Sequence, residues 1–488
     1  MSGLLQGRLN SRQILRDVLG GKQDISIQNA LLTSPTEPLG IVSAGKYGSL
    51  FPAMGVRAFN GDILVLTRAG DTHMEDYGKI VQFRSKDLMK TWSEEAVLSL
   101  SNRDCRNVGT AGVLTNGRII FSVSDWDLTG DWKIRTLYSD DNGATWGTLA
   151  GPDPATADTF FGGNNLLAIR DDLLFTAHED GDNTKIKKST DGGVTATLIK
   201  TYSLAGQNLS EPYLQYLPEI SRIVCIMRND LNNYLHVGYS DDLGTTWSDA
   251  YRTPFGTVAA NAPLGHIGNR IFVAFRTRVY RSAGANFCHP GRIILYATGD
   301  GLLWEGSRTL YSIPTTVAGD TGASQWNPTN YGSFLELVPG TGVYFFGTEH
   351  WVKEGTRRGF DAGIFYAIIR ETDADRFTPL QAQLFNNKAT ANAYADSPAL
   401  DVTGLKTLNF VIHNVHATAG LHWRLDGAID NPRDLGEAWI ELKAEATLAA
   451  GAEASYAVTT PWRWVRGQVK SAVADTPSSA FMYVYGAK

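Results

Sequence analysis

Ser139-Asp140-Asp141-Asn142-Gly143-Ala144-Thr145-Trp146 is the stretch whose reading decides the fold. Asp141 suits an Asx-type turn that bonds the backbone just ahead of it, and Gly143 supplies a positive φ. Trp146 is a large ring that such a hairpin can cover. The pattern returns as Ser240-Asp-Asp242-Leu-Gly244-Thr-Thr246-Trp247. Weaker copies run from Ser85 to Trp92, from Ser189 to Ala196 and from Thr298 to Trp304. Their last residues, at 92, 146, 196, 247 and 304, are 54, 50, 51 and 57 positions apart. Strand-like text precedes each turn, as in Ile134–Tyr138 and Tyr234–Tyr239, and a second strand lies upstream in most units. A period near fifty fits one four-stranded propeller blade with its loops. Five marked units cover about 45–310, and Tyr331–Arg370 supplies an unmarked sixth.

The fold class expected is all-β: a six-bladed β-propeller over 45–374, a C-terminal β-sandwich of jelly-roll type over 375–488, and a short N-terminal helix in an attachment segment, 1–44. The sandwich is read from alternating text such as Leu408–Ile412, Leu421–Leu425 and Trp464–Val469, and from Phe481–Tyr485 near the end. The helix is read over 9–19, capped by Asn10 or Ser11 and stopped by Gly20-Gly21. The 488 residues carry 44 basic and 50 acidic side chains, a net charge of −6 without long single-sign runs, so no nucleic-acid partner is expected. No stretch nears the roughly 20 apolar residues of a spanning helix, so no membrane insertion is expected, and the first residues do not read as a signal peptide. Cys105, Cys225 and Cys288 stand in no metal-ligand spacing; neither a metal nor another cofactor is expected.

The octapeptide repeat resembles the Asp box of sialidases and related BNR-repeat glycosidases, over about 45–370. In that family the boxes face away from the active site, which makes Asp141 and Asp242 structural staples. An aspartate saturated by turn amides is also a poor base. The resemblance carries chemistry to other positions. Ser210-Glu211-Pro212, followed by Arg228, is similar to the stretch in which a glutamate polarises a nucleophilic tyrosine and an arginine grips the substrate carboxylate. Arg292 resembles the next arginine of the cluster, with Arg276 competing for that place. Tyr331, in Asn330-Tyr331-Gly332, resembles the nucleophile that opens the last blade, and Glu349 ends the next strand of that blade. Arg68 and His73 resemble a loop of more distant BNR proteins. Asp71 is the choice for the acid that protonates the leaving group, ahead of Glu75 and Asp76. Asp104 and Arg106 resemble the corresponding loop of the second blade.

Such a set is chemically coherent. Guanidinium groups converging on one carboxylate give bidentate, charge-assisted bonds. A tyrosine beside a carboxylate can surrender its proton and attack an anomeric carbon, and a phenolic nucleophile avoids the repulsion between a carboxylate and an anionic sugar. Plainer readings stand beside these. Glu-Pro is also turn chemistry, a tyrosine next to glycine is also an edge-strand aromatic, His73 is also a surface histidine, and any one arginine is also a surface ion-pair partner. The resemblance breaks at Leu50-Phe51-Pro52, where sialidases carry Arg-Ile-Pro; phage endosialidases similarly lack the full arginine set.

The function expected is therefore a sialidase-like glycoside hydrolase acting on an acidic bacterial surface polysaccharide. The alternatives are a lectin-like receptor-binding propeller, an exo-sialidase-like bacterial glycosidase, and an architectural propeller. Trp126, Trp132, Trp326 and Trp351 would suit sugar stacking in the hydrolase and in the lectin alike. By analogy of fold, the setting expected is a virion tail spike or fibre, as a homotrimer attached through its N-terminus, with a cytoplasmic enzyme as the alternative.

Overall fold

Strand Ile63–Gly70 is apolar at consecutive positions, Ile63, Leu64, Val65 and Leu66, and each is fully buried. A strand with one face in water alternates; this one has no wet face. Leu64 and Leu66 pack with Ile119, Phe121 and Val123 on one side, while Ile63 and Val65 pack with Val343 and Phe345 on the other. The sheet is thus wedged between two other sheets, which is what a propeller blade requires.

The computed structural model describes residues 40–70, 78–98, 104–126, 132–149, 166–169, 171–178, 183–229, 234–253, 255, 262–276, 292–312, 324–352, 362–372, 381–390, 393–397, 400–402, 407–428, 439–459, 464–473 and 478–487. The helix expected over 9–19 lies outside them, as do Asp71 and His73.

Six four-stranded antiparallel blades follow in chain order. Blade 1 is Ser49–Arg57, Ile63–Gly70, Lys79–Ser85 and Ser93–Leu98; blade 2 is Asp104–Val113, Ile119–Trp126, Trp132–Ser139 and Gly147–Leu149. Blade 3 is Leu166–Ile169, Asp172–His178, Thr184–Ser189 and Thr197–Tyr202; blade 4 is Leu209–Leu217, Arg222–Asn229, Leu235–Ser240 and Tyr251–Arg252. Blade 5 is Leu264–Ile267, Arg270–Arg276, Arg292–Thr298 and Trp304–Ser312. Blade 6 takes Ser324–Val338, Thr341–Val352 and Ala362–Arg370 from late in the chain and its outer strand, Gly40–Tyr47, from the beginning. The first strands of successive blades lie side by side around the centre, and the sixth returns to the first through the parallel pair Ala53 and Gly332. The ring is closed by strand pairing at two radii.

The repeat turns staple neighbouring blades. In the best copy, the Thr145 amide and hydroxyl donate to Asp141 at 2.8 and 2.6 Å, and the Ser139 hydroxyl donates to it at 2.7 Å. These bonds hold the Asp141 carboxyl down at about 2, well below the usual carboxylate range. Gly143, at φ 78°, turns its carbonyl to blade 1, where Arg84 Nη2 donates at 2.7 Å and Gln82 Nε2 at 3.1 Å. A Cβ on Gly143 would meet Leu64 Cδ1 at 2.5 Å, so the position is closed to other residues twice over. The device recurs between other blades. Lys188 donates to the Leu243 carbonyl at 3.2 Å, and wholly buried Arg222 donates to the Asp300 carbonyl at 2.8 Å while its Nε pairs with Asp241 at 2.9 Å.

Beyond the propeller, two sheets face one another. One orders Gln381–Thr390, Ser478–Ala487, Thr407–Asn414 and Glu453–Thr459; the other orders Ala395–Asp396, Trp464–Ser471, Leu421–Ala428 and Ile440–Leu448. Leu408, Phe410 and Ile412 of the first meet Leu421, Trp423, Leu425 and Val469 of the second in a dry core. The C-terminal strand sits inside its sheet, between two partners. Among the described residues no helix is long and apolar enough to cross a membrane.

Candidate functional site

Antiparallel order decides at which end of each blade the candidate residues stand. Every repeat turn joins the third strand of a blade to its fourth, so the turns share one rim. The opposite rim holds the starts of the first strands, the ends of the second and the starts of the third. Glu211 lies near the start of the first strand of blade 4, and Arg228 near the end of the second, where Ser210 pairs with Arg228. Arg68 is near the end of the second strand of blade 1, opposite Phe51. Arg276 ends the second strand of blade 5, opposite Ile293, and Arg292 starts the third. Asp104 and Arg106 open the first strand of blade 2. The backbones of Trp126 and Trp132, paired across a hairpin, and of Trp326 and Trp351 stand at this rim as well. The side chains of Asp104, Arg106, Arg276, Arg292, Glu349 and these four tryptophans are outside the described set.

Three of the residues meet. The Tyr331 hydroxyl donates to Glu211 Oε1, and Arg228 Nη1 donates to Glu211 Oε2 at 2.9 Å. The Glu211 and Arg228 side chains keep only 10% and 16% of their surface exposed. Tyr331 is half-buried. The carboxylate is thus held at both oxygens, by a phenol from blade 6 and a guanidinium from blade 4.

Local backbone irregularity delivers these groups. Strand Leu209–Leu217 slips register between Ser210 and Tyr213, and Glu211 within the slip has φ 45°. Among the described residues the other non-glycine positions with positive φ are Leu88, Met89, Asn142, Ser221 and Leu243, all in turns. Glu211 alone among them lies in a strand. Left-handed backbone at a non-glycine residue costs about 1–3 kcal/mol and persists only where the surroundings enforce it, a cost characteristic of functional sites. Tyr331 likewise does not open its strand, which begins seven residues earlier at Ser324; it stands where that strand slips against its neighbour, between Pro328 and Gly332. At each slip the side chain leaves the regular alternation, and the Tyr331–Glu211 bond joins the two slips.

Arg68 sits differently. It has no exposed surface, and its guanidinium lies 5.9 Å from the centre of the Phe51 ring, which in turn tilts against Tyr331 at 5.7 Å. Leu50, where the resemblance calls for an arginine, is also fully buried. The wall beside Tyr331 on blade 1 is therefore an aromatic ring backed by a hidden cation. Sequence reasoning did not find Phe51, or Tyr213, whose hydroxyl donates to the Gly332 carbonyl at 3.3 Å. The only signal for Tyr213 was its place two residues past Glu211.

No family model matches the chain. A sialidase of Clostridium perfringens is 28% identical over 204 residues, covering 35% of this chain and 52% of that protein, so the chain spans about half the length of this curated relative. Among solved structures, NanB with Optactamide superposes with a TM-score of 0.52 at 12% identity, covering 73% of each chain. The NanB sialidase of Streptococcus pneumoniae gives 0.50 at 11% identity over 72% of this chain and 73% of its own. A protein of unknown function from Dyadobacter fermentans gives 0.50 at 16% identity over 69% and 99%. At these identities the structural likeness concerns the fold: a sialidase-like β-propeller.

Proposed function

We propose that this chain is a retaining, sialidase-like glycoside hydrolase that cleaves an acidic glycan, with Tyr331 as nucleophile and Glu211 as its base. The observation that carries the proposal is the Tyr331–Glu211–Arg228 constellation, assembled from blades 4 and 6 by residues 120 positions apart. Glu211 takes the phenolic proton as Tyr331 Oη bonds to the anomeric carbon and the glycosidic C–O bond breaks. Asp71, which follows Gly70 in the chain, gives the leaving oxygen its proton. Water, giving a proton to the Asp71 carboxylate, then attacks the anomeric carbon as its bond to Tyr331 Oη breaks, and the departing phenoxide recovers its proton from Glu211. Two displacements at one carbon return the starting configuration.

Arg228 orients Glu211 by pairing with it, and together with Arg292 and Arg276 presents positive charge to the substrate carboxylate. Arg68 supports this charge from behind Phe51. His73, together with Asp104 and Arg106 of the first strand of blade 2, contacts sugar hydroxyls. The substrate we assign is an acidic bacterial surface polysaccharide and the setting a phage tail spike. That setting calls for three chains per particle, so light scattering on the 53.2 kDa chain should return about three times that mass.

The test is incubation with sialosides and acidic capsular polysaccharides, scoring new reducing ends. Wild type should release them, and Glu211→Gln and Tyr331→Phe should each lower kcat by about 10²–10⁴-fold. One observation favours a second reading, a lectin-like propeller: Leu50 stands where the resemblance calls for an arginine. Binding without cleavage, indifferent to both substitutions, would decide for it.

A further inference from the structure

The peptide that carries Tyr331 is held from two sides by hydroxyl groups. Tyr213, 1% exposed, donates its hydroxyl to the carbonyl of Gly332, the residue next to Tyr331. One residue further on, Ser333 Oγ accepts from the Gly55 amide at 2.6 Å and donates to the Ala53 carbonyl at 3.1 Å, tying the segment to blade 1. Gly332 itself admits no side chain, because a Cβ there would stand 2.0 Å from the Phe345 carbonyl oxygen. The segment is clamped where its strand slips register.

Tyr213 and Glu211 belong to one strand, two residues apart, Glu211 within that strand's own slip and Tyr213 where regular pairing resumes. Blade 4 therefore grips the Tyr331 region twice, once through the carboxylate on the phenol and once through the Tyr213 phenol on the adjoining peptide. Two bonds between the same pair of strands fix separation and tilt where one leaves a hinge. A hydrogen bond whose angle is free to swing loses proton-transfer geometry long before it loses contact, and a displacement near 1 Å costs about 10²-fold in rate.

We propose that Tyr213 is a positioning residue, setting the distance and angle between Tyr331 Oη and Glu211 without touching substrate. The inference rests on the hydrolase reading for its catalytic meaning and on the geometry alone for the positioning.

The experiment has two arms, and the variant is Tyr213→Phe, which keeps the buried ring and removes the donor. In the first arm, kcat on a cleaved sialoside falls about tenfold or more while KM stays within about twofold. In the second, the protein is labelled with 3-fluorotyrosine and the Tyr331 resonance assigned by its loss in Tyr331→Phe. Glu211→Gln displaces that resonance, and in the Tyr213→Phe background the displacement shrinks by at least half. Ser333→Ala, which frees the same segment from the blade 1 side, shrinks it in the same direction. An undiminished displacement in Tyr213→Phe overturns the inference, whatever happens to the melting temperature, because a merely structural tyrosine would alter stability and leave that coupling intact. Absence of turnover by wild type defeats the hydrolase reading instead, and the fluorine arm still decides the positioning.

Discussion

Asp141 and Glu211 are both carboxylates held by several donors, and they sit on opposite rims of the same propeller. Every donor to Asp141 comes from within four residues: Ser139 before it and Thr145 after it. The donors to Glu211 come from 17 and 120 residues away, and one of them is a phenol able to give up its proton. Local donors saturate a carboxylate whatever the rest of the chain does, and such a group serves as a staple. Distant donors assemble only when the ring closes. The rim of the repeat turns is built by short-range hydrogen bonding; the other is built by topology.

Substitutions can break this contrast at either rim. The largest structural effect is expected at Arg222, wholly buried and joining Asp241 of blade 4 to the Asp300 carbonyl of blade 5. Arg222→Ala empties the space of a wholly buried side chain and leaves the Asp300 carbonyl without its donor, and denaturant unfolding should register a loss of about 3 kcal/mol or more. A loss below 1 kcal/mol would mean that the blades are held by apolar packing alone.

A smaller loss, about 1–3 kcal/mol, is expected for Asp141→Ala, since three local bonds go with the carboxylate. Activity should stay within about twofold of wild type, the reverse of the outcome for Glu211→Gln. The pH dependence follows from the lowered carboxyl. A group whose folded pKa is depressed contributes stability above its unfolded pKa, near 4, and that contribution is lost as pH falls toward about 2. Melting curves of wild type and Asp141→Ala should therefore draw together between pH 4 and pH 2 and stay apart above it. Parallel curves over that interval would show that the staple works through shape rather than charge.

The two rims also differed in how far they were legible. The repeat turns could be recognised at Ser139–Trp146 because each residue serves its immediate neighbours. The Glu-Pro at 211–212 and the tyrosine at 331 were legible only through resemblance, since nothing within a few residues of either marks chemistry. The described structure brings Tyr331, Glu211 and Arg228 together, and it puts Arg68 behind Phe51 rather than in the open. Arg68 follows apolar Ile63–Leu66 in a strand with no wet face, and a guanidinium there was bound to be enclosed by the neighbouring blade. Phe51 and Tyr213 escaped notice because an aromatic in a strand reads as core until its partners are known.

By itself the amino-acid sequence determined the blade, its period near fifty and its repeat count, because turn chemistry and strand alternation act over fewer than ten residues. It also marked alternating strands such as Leu408–Ile412 and Leu421–Leu425 as a second, sandwich-like unit. Only the tertiary structure decided that Gly40–Tyr47 completes the last blade, that Glu211 adopts a left-handed backbone inside a strand, and that two register slips 120 residues apart point at one another. Those features depend on which strands become neighbours when the ring closes, a long-range condition that no local pattern encodes.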